Sequence, residues 1–173
     1  GVNSGESLRN TCNEVTSRDD SDICNLGSIN ISRISSKEEF EELIYFSTLF
    51  LLAGTVYSDV PYKKIAEVRN KNRRLGLGLM GVHEWFLQRG FLYGPNEVLD
   101  SWLESYQKSG QFAAEWAGVL NLSAPVKTRA IAPTGTIGIV GETCKLEVYE
   151  LGHVEKGERE VVIVPKKITY KPK

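Results

Sequence analysis

Asn10-Thr11-Cys12-Asn13-Glu14, followed after a short polar spacer by Cys24-Asn25-Leu26-Gly27-Ser28-Ile29-Asn30, is the stretch on which the reading of this chain turns. It puts an amide, a thiol and a carboxylate on alternate residues of one loop. In an extended segment alternate side chains project to the same side, so Asn10, Cys12 and Glu14 could face one substrate. Cys24 follows twelve positions after Cys12, enough chain to turn back and bring a second thiol near. The Asn, Ser, Asp and Gly content of residues 1–35, with a short apolar run at Ile29-Asn30-Ile31, suits a loop leading into a strand. Taken alone the pattern is weak, because turn residues beside two inert buried thiols would look the same. Without a CxxC pair or a nearby His, the two cysteines do not make a zinc site.

Outward from that loop, composition is that of an ordinary globular domain: 173 residues, 41% hydrophobic and 25% charged. The 21 basic and 22 acidic residues nearly cancel, so no long-range field favours a nucleic acid polymer or a membrane surface. A phosphate site would have to be local and built from backbone donors. Residues 1–22 carry no apolar core of a secretory signal, and the uncharged run Leu43–Ser58 is short for a bilayer span of about 20 residues. A buried helix is the expectation there. Three cysteines, Cys12, Cys24 and Cys144, point to a reducing, cytoplasmic setting and away from a disulfide scaffold.

From Ser36 to Gly118 the pattern is helical. Ser36 is an N-cap candidate with Glu38, Glu39, Glu41 and Glu42 at the positive end of the helix. Phe40, Leu43, Ile44, Phe46, Leu49, Phe50, Ala53 and Val56 then recur near the helical period, and Pro61 marks the exit. A second helix is expected over Leu75–Arg89, closed by Gly90. A third follows Gly94-Pro95-Asn96 and runs to Trp116, with Gly110 weakening its continuity. Thr128–Ala132 reads as a strand before a Pro-Thr-Gly-Thr turn. Residues 145–173 alternate in period two and predict a β-hairpin.

Pro133-Thr134-Gly135-Thr136-Ile137-Gly138 suits an anion on physical grounds, since glycines allow close approach and successive N–H groups can cradle phosphate oxygens. Gly76-Leu77-Gly78-Leu79-Met80-Gly81 formally matches a dinucleotide fingerprint. That reading needs a strand just before the first glycine, and the polar Arg69–Arg74 stretch argues against one. Close packing of a helix is the expected role of these glycines. His83 beside Glu84 lacks the second His of a metal-binding helix, and Trp85, Trp102 and Trp116 are expected in the core.

The ordered motifs carry a resemblance. Asn-x-Cys-x-Glu with Cys-Asn-Leu-Gly-Ser-Ile-Asn resembles the finger loop of ribonucleotide reductase large subunits, most like the adenosylcobalamin-dependent class II branch. Arg73-Arg74-Leu-Gly-Leu-Gly-Leu-Met-Gly resembles that family's arginine-led helix, and Ile131-Ala-Pro-Thr-Gly-Thr-Ile-Gly its phosphate-binding turn. The resemblance implies that Cys12 carries a thiyl radical and Glu14 acts as general base on the ribose 3′-hydroxyl. It implies that Asn10 positions the sugar and that Cys24 is one member of a reducing thiol pair reopened by a thioredoxin-like donor. Pro133, Thr134, Gly135, Thr136 and Ile137 would hold the substrate's phosphates, with adenosylcobalamin as the implied cofactor and no metal site.

The expected fold is α/β: part of a ten-stranded reductase barrel over residues 1–143, with a helical middle region, and a β-rich tail over 144–173. The family's partner for Cys24 lies upstream of the finger loop, so the isolated chain is expected not to turn over without the remainder of the barrel. The tail departs from the family pattern, leaving open a lineage-specific replacement, a rearranged reading frame or an intein fragment beginning at Cys144. Two other functions compete: a thiol–disulfide protein using Cys12 and Cys24 alone, and a non-catalytic remnant that pairs with the missing half.

Overall fold

The computed structural model describes residues 5–141. The hairpin expected over 144–173, with Cys144 and His153, lies outside the described residues. The chain begins with a small antiparallel hairpin, β1 (Leu8–Arg9) and β2 (Thr16–Ser17), paired Leu8 to Ser17 and Arg9 to Thr16. Strand β3 (Asn25–Asn30) follows, then a single 3-10 turn at Ile31–Arg33.

Helix α1 (Lys37–Tyr57) starts where its sequence says it should: the Ser36 hydroxyl accepts the Glu39 amide, with Glu38 and Glu39 in the first turn. By length and composition alone α1 could cross a membrane. Here Phe40, Ile44, Leu51 and Leu52 are buried as it packs on β3, α4 (Glu97–Gln107) and α5 (Ser109–Val119), whereas Leu43, Phe46, Phe50 and Val56 are exposed, so the helix expected to be buried is covered on one side only among the described residues.

After α2 (Lys63–Asn72) the structure departs from the helical expectation. Leu75–Met80 is a strand, β4, and only Val82–Gln88 is helical, as α3. The cause is the alternation of leucine and glycine: Leu75, Leu77 and Leu79 are all buried, and glycine is costly inside a helix. Gly81, at φ 72°, turns the chain from strand into helix, a conformation that favours glycine.

β4 pairs in parallel with β3 from Asn25–Leu75 to Asn30–Met80, the connection between them running through α1 and α2. Its other edge meets residues 127–130, where Leu75 N–H donates to Lys127 O and Leu77 N–H to Thr128 O. β4 is thus covered on both edges, and the Thr128–Ala132 strand expected from sequence shortens to a bridge at Arg129. The expected third helix is two, α4 and α5, broken at Lys108 just before Gly110. Asn96 caps α4 by accepting from the Val98 and Leu99 amides. Trp85 and Trp102 are buried edge to face at 5.6 Å, and Trp116 is partly buried against the same core, as anticipated. Finally α6 (Gly135–Val140) follows the Pro-Thr turn, and Asn30 Nδ2 donates to Gly141 O to fasten its end to the end of β3.

Candidate active site

The hairpin loop between β1 and β2 is a tight turn, not an extended run. Asn10 N–H donates to Val15 O, Asn10 Oδ1 accepts the Val15 amide at 3.1 Å, and Asn13 adopts a left-handed φ of 66°. Arg9 holds Asn13 Oδ1 at 3.0 Å. Asn10, Cys12 and Glu14 therefore do not share a face by simple alternation. The Asn10 amide is turned into its own loop, Cys12 is exposed in the loop, and Glu14 is half-buried.

Glu14 faces a cleft of about 180 Å³ that it shares with Val15, Thr16, Cys24, Arg74, Lys127 and Arg129. Its Oε2 is buried with no hydrogen-bond partner among the described residues. A carboxylate oxygen in that state is an acceptor waiting for a donor. Cys24 sits immediately before β3 and is partly buried; burial pushes its thiol up to about 12, Arg74 pulls the other way, and Asp22 and Glu14 add to the rise. Among the described residues both cysteines, Cys12 and Cys24, are free.

Arg74, immediately before β4, helps to hold the hairpin over this cleft, together with Lys71 and Asn72, which both reach Asp19. The Arg74 Nε donates to Asp22 Oδ2 at 2.9 Å and its Nη2 lies 3.6 Å from Glu6 Oε1, all three side chains being buried. Asp22 Oδ2 also accepts from Ser17 Oγ at 2.6 Å and Asn72 Nδ2 at 3.0 Å. Burial pushes the Glu6 carboxyl up, but the Thr16 hydroxyl, Lys127 and Arg74 outweigh it and hold it below the usual range. The neighbouring Arg73 ends α2 at φ 39° and points elsewhere, donating to Thr55 Oγ1 on α1 at 3.1 Å. The sequence alone assigns neither arginine a role. The available signal was a charged pair directly ahead of an apolar run, because an arginine buried there requires acids from elsewhere.

The phosphate-turn residues stand apart from the cleft lining. Thr134 precedes α6 with φ −71° and ψ 36°, Gly135 N–H donates to Pro133 O at 2.7 Å, and Gly135, Thr136 and Ile137 are exposed. Ala130, which lines the cleft, lies four residues before Thr134.

Among the described residues, fold and site together define an α/β unit that displays an exposed thiol and sets a second thiol in the same cleft as an unpartnered carboxylate oxygen. A family profile described as ribonucleotide reductase, barrel domain, matches residues 7–105, more than half of the chain, and the chain belongs to that family. It is 33% identical over 138 residues to a protein of Mycobacterium phage D29 named as an adenosylcobalamin-dependent ribonucleoside-triphosphate reductase, covering 74% of this chain and 20% of that one. It is 31% identical over 142 residues to a vitamin B12-dependent ribonucleoside-diphosphate reductase of Thermoplasma acidophilum, covering 68% and 18%. A crystal structure of a B12-dependent class II ribonucleotide reductase superposes with a TM-score of 0.65 at 16% identity, over 78% of this chain and 22% of that one. The chain spans about a fifth of the length of these relatives.

Proposed function

We propose that this chain forms part of the catalytic subunit of a reductase that converts ribonucleotides to deoxyribonucleotides by thiyl-radical chemistry. The observation that carries the reading is the buried, unpartnered Glu14 Oε2 in the cleft it shares with Cys24, on a loop that also exposes Cys12. In this reading a Cys12 thiyl takes the ribose 3′ hydrogen while Glu14 accepts the 3′-hydroxyl proton, easing loss of the 2′-hydroxyl as water. Asn10 releases its loop contact to hold the sugar, and the turn at Pro133, Thr134, Gly135, Thr136 and Ile137 takes the phosphates once Gly135 N–H gives up its bond to Pro133 O. Two electrons and two protons come from Cys24 and a second thiol supplied outside the described residues. The pair ends as a disulfide that a thioredoxin-like dithiol reopens. Such cycling suits the reducing cytoplasm.

The names of the relatives support adenosylcobalamin as the cofactor. The 180 Å³ cleft at the loop is too small for a corrin ring, so these residues do not by themselves fit that group and no step is derived through it. The outer edge of β3 has no strand beside it among the described residues, which supports pairing with the remainder of the barrel.

The test is a chimera in which residues 7–141 replace the matching segment of the phage relative. Nucleotide reduction should survive in the chimera and fall at least a thousandfold in its C12S form. A C12S chimera that still reduces nucleotide overturns the reading.

A further inference from the structure

Arg74 lines the cleft beside Glu14 and Cys24, and among the described residues it grips both legs of the hairpin from the body of the fold. Glu6 precedes β1 and Asp22 follows β2, and the guanidinium lies against both. Thr16 and Ser17, on β2 itself, donate to the same two carboxylates at 2.9 and 2.6 Å. Arg74 is in turn fixed by its backbone: its carbonyl accepts Asn25 N–H at 3.2 Å, joining the start of β4 to the residue after Cys24. One residue therefore ties the hairpin, the first turn of the sheet and the Cys24 position into a single frame. A guanidinium can do this because its planar fork reaches two acceptors at once, which an ammonium does less well.

We propose that Arg74 is a positioning residue that sets the Cys12–Glu14 loop over Cys24, acting through the buried carboxylates of Glu6 and Asp22. Its significance for turnover rests on the reductase reading above; its geometric effect does not. Loss of Arg74 leaves two buried acids without their shared cation, a state far less favourable than either the intact bridge or solvent exposure. The hairpin should then lift from the cleft, while the Leu75–Leu79 core, held by β3 and residues 127–130, stays in place.

The experiment reads Cys24 by iodoacetamide labelling of the 173-residue chain across pH, with amide hydrogen exchange of Leu75–Leu79 as the control for folding. In R74M, Cys24 should label at least tenfold faster at pH 8, and its titration midpoint should move down from about 12 towards the ordinary 9.0. R74K should fall between R74M and the parent, since it keeps the charge but not the fork. A purely electrostatic role predicts the opposite sign, because removing a nearby cation while the hairpin stays put raises the midpoint and slows labelling. Slower or unchanged labelling in a folded R74M overturns the proposal. If R74M loses core protection, E6Q decides, since it breaks the bridge from the hairpin side at a residue that is not among the charges acting on Cys24: faster labelling supports the proposal, and no change overturns it. The assay needs no turnover, so its failure is separate from failure of the C12S chimera.

Discussion

Gly76 lies so close to Cys24 that a Cβ placed on it would stand 2.9 Å from the Cys24 sulfur. The same atom would meet a Leu26 methyl group and come within 3.1 Å of the Ala130 Cβ. The cleft thiol is therefore packed against the bare backbone of β4, and the glycine is part of how that thiol is placed. Its neighbour two residues on, Gly78, meets something harder: a Cβ there would come within 2.7 Å of the Ala130 carbonyl oxygen.

These two contacts predict an order of severity. In Gly76→Ala the two nearest atoms are the ends of the Leu26 and Cys24 side chains, and Leu26 is 45% exposed and can swing away; the Ala130 Cβ, fixed to its backbone, stands farther off at 3.1 Å. The expected loss is about 1–2 kcal/mol, within the range for overpacking. Gly78→Ala pushes on backbone that residues 127–130 cannot yield without breaking their bonds to β4, so its loss should be larger. Urea midpoints of the two variants check this; equal or reversed losses would refute the contact argument.

Thiol chemistry should be one-sided. Cys12 is exposed, whereas Cys24 is partly buried with its thiol held far from ionisation at pH 8. Because the thiolate is the reactive form, a limiting dose of iodoacetamide should modify Cys12 at least tenfold ahead of Cys24. Peptide mass spectrometry after a short pulse measures the ratio, and comparable labelling would mean the cleft is open in solution.

Ser36 offers a local test of the helix that supports the sheet. Its hydroxyl accepts the Glu39 amide at 3.2 Å, and the Glu39 carboxylate in turn accepts the Ser35 amide at 2.8 Å. Ser36→Ala should cost about 1 kcal/mol, the usual worth of such a cap. Thermal unfolding will show it, and Ser36→Asp should recover most of the loss.

That cap was legible in the sequence, as was the Gly90 stop, because each depends on residues within a turn or two of chain. The β4 strand was not. Three leucines alternating with two glycines are a short period-two signal beside a long helical one, and what makes them a strand is β3, some fifty residues earlier, on one edge and residues 127–130 on the other. Helix α2 escaped for a different reason: Lys63–Asn72 has few apolar residues to reveal a period. In the site, Cys12, Glu14 and Cys24 stood out through the resemblance of their loop. Arg74 did not, since its partners Glu6 and Asp22 are more than fifty residues away and only folding brings them to it.

Alkaline pH should destabilise the fold in two stages. Cys24 titrates at about 12 in the folded chain against an ordinary 9.0, and Tyr106, buried with its hydroxyl donating to the Leu77 carbonyl, at about 12 against 10.0. In both cases burial is the main cause and a nearby arginine, Arg74 or Arg129, opposes it. A raised folded value means that the unfolded chain releases its proton first as pH rises. The stabilisation is thus complete below the unfolded value and is lost up to the folded one. Between pH 9 and 10 the loss belongs to Cys24; above pH 10 Tyr106 joins it, each proton contributing at most about 1.4 kcal/mol per pH unit. Cys24→Ala should therefore flatten the urea-midpoint profile between pH 9 and 10, whereas Tyr106→Phe should flatten it only above pH 10. Parent and Cys24→Ala profiles that fall in parallel through the first window would show that the thiol is not shielded as the structure places it.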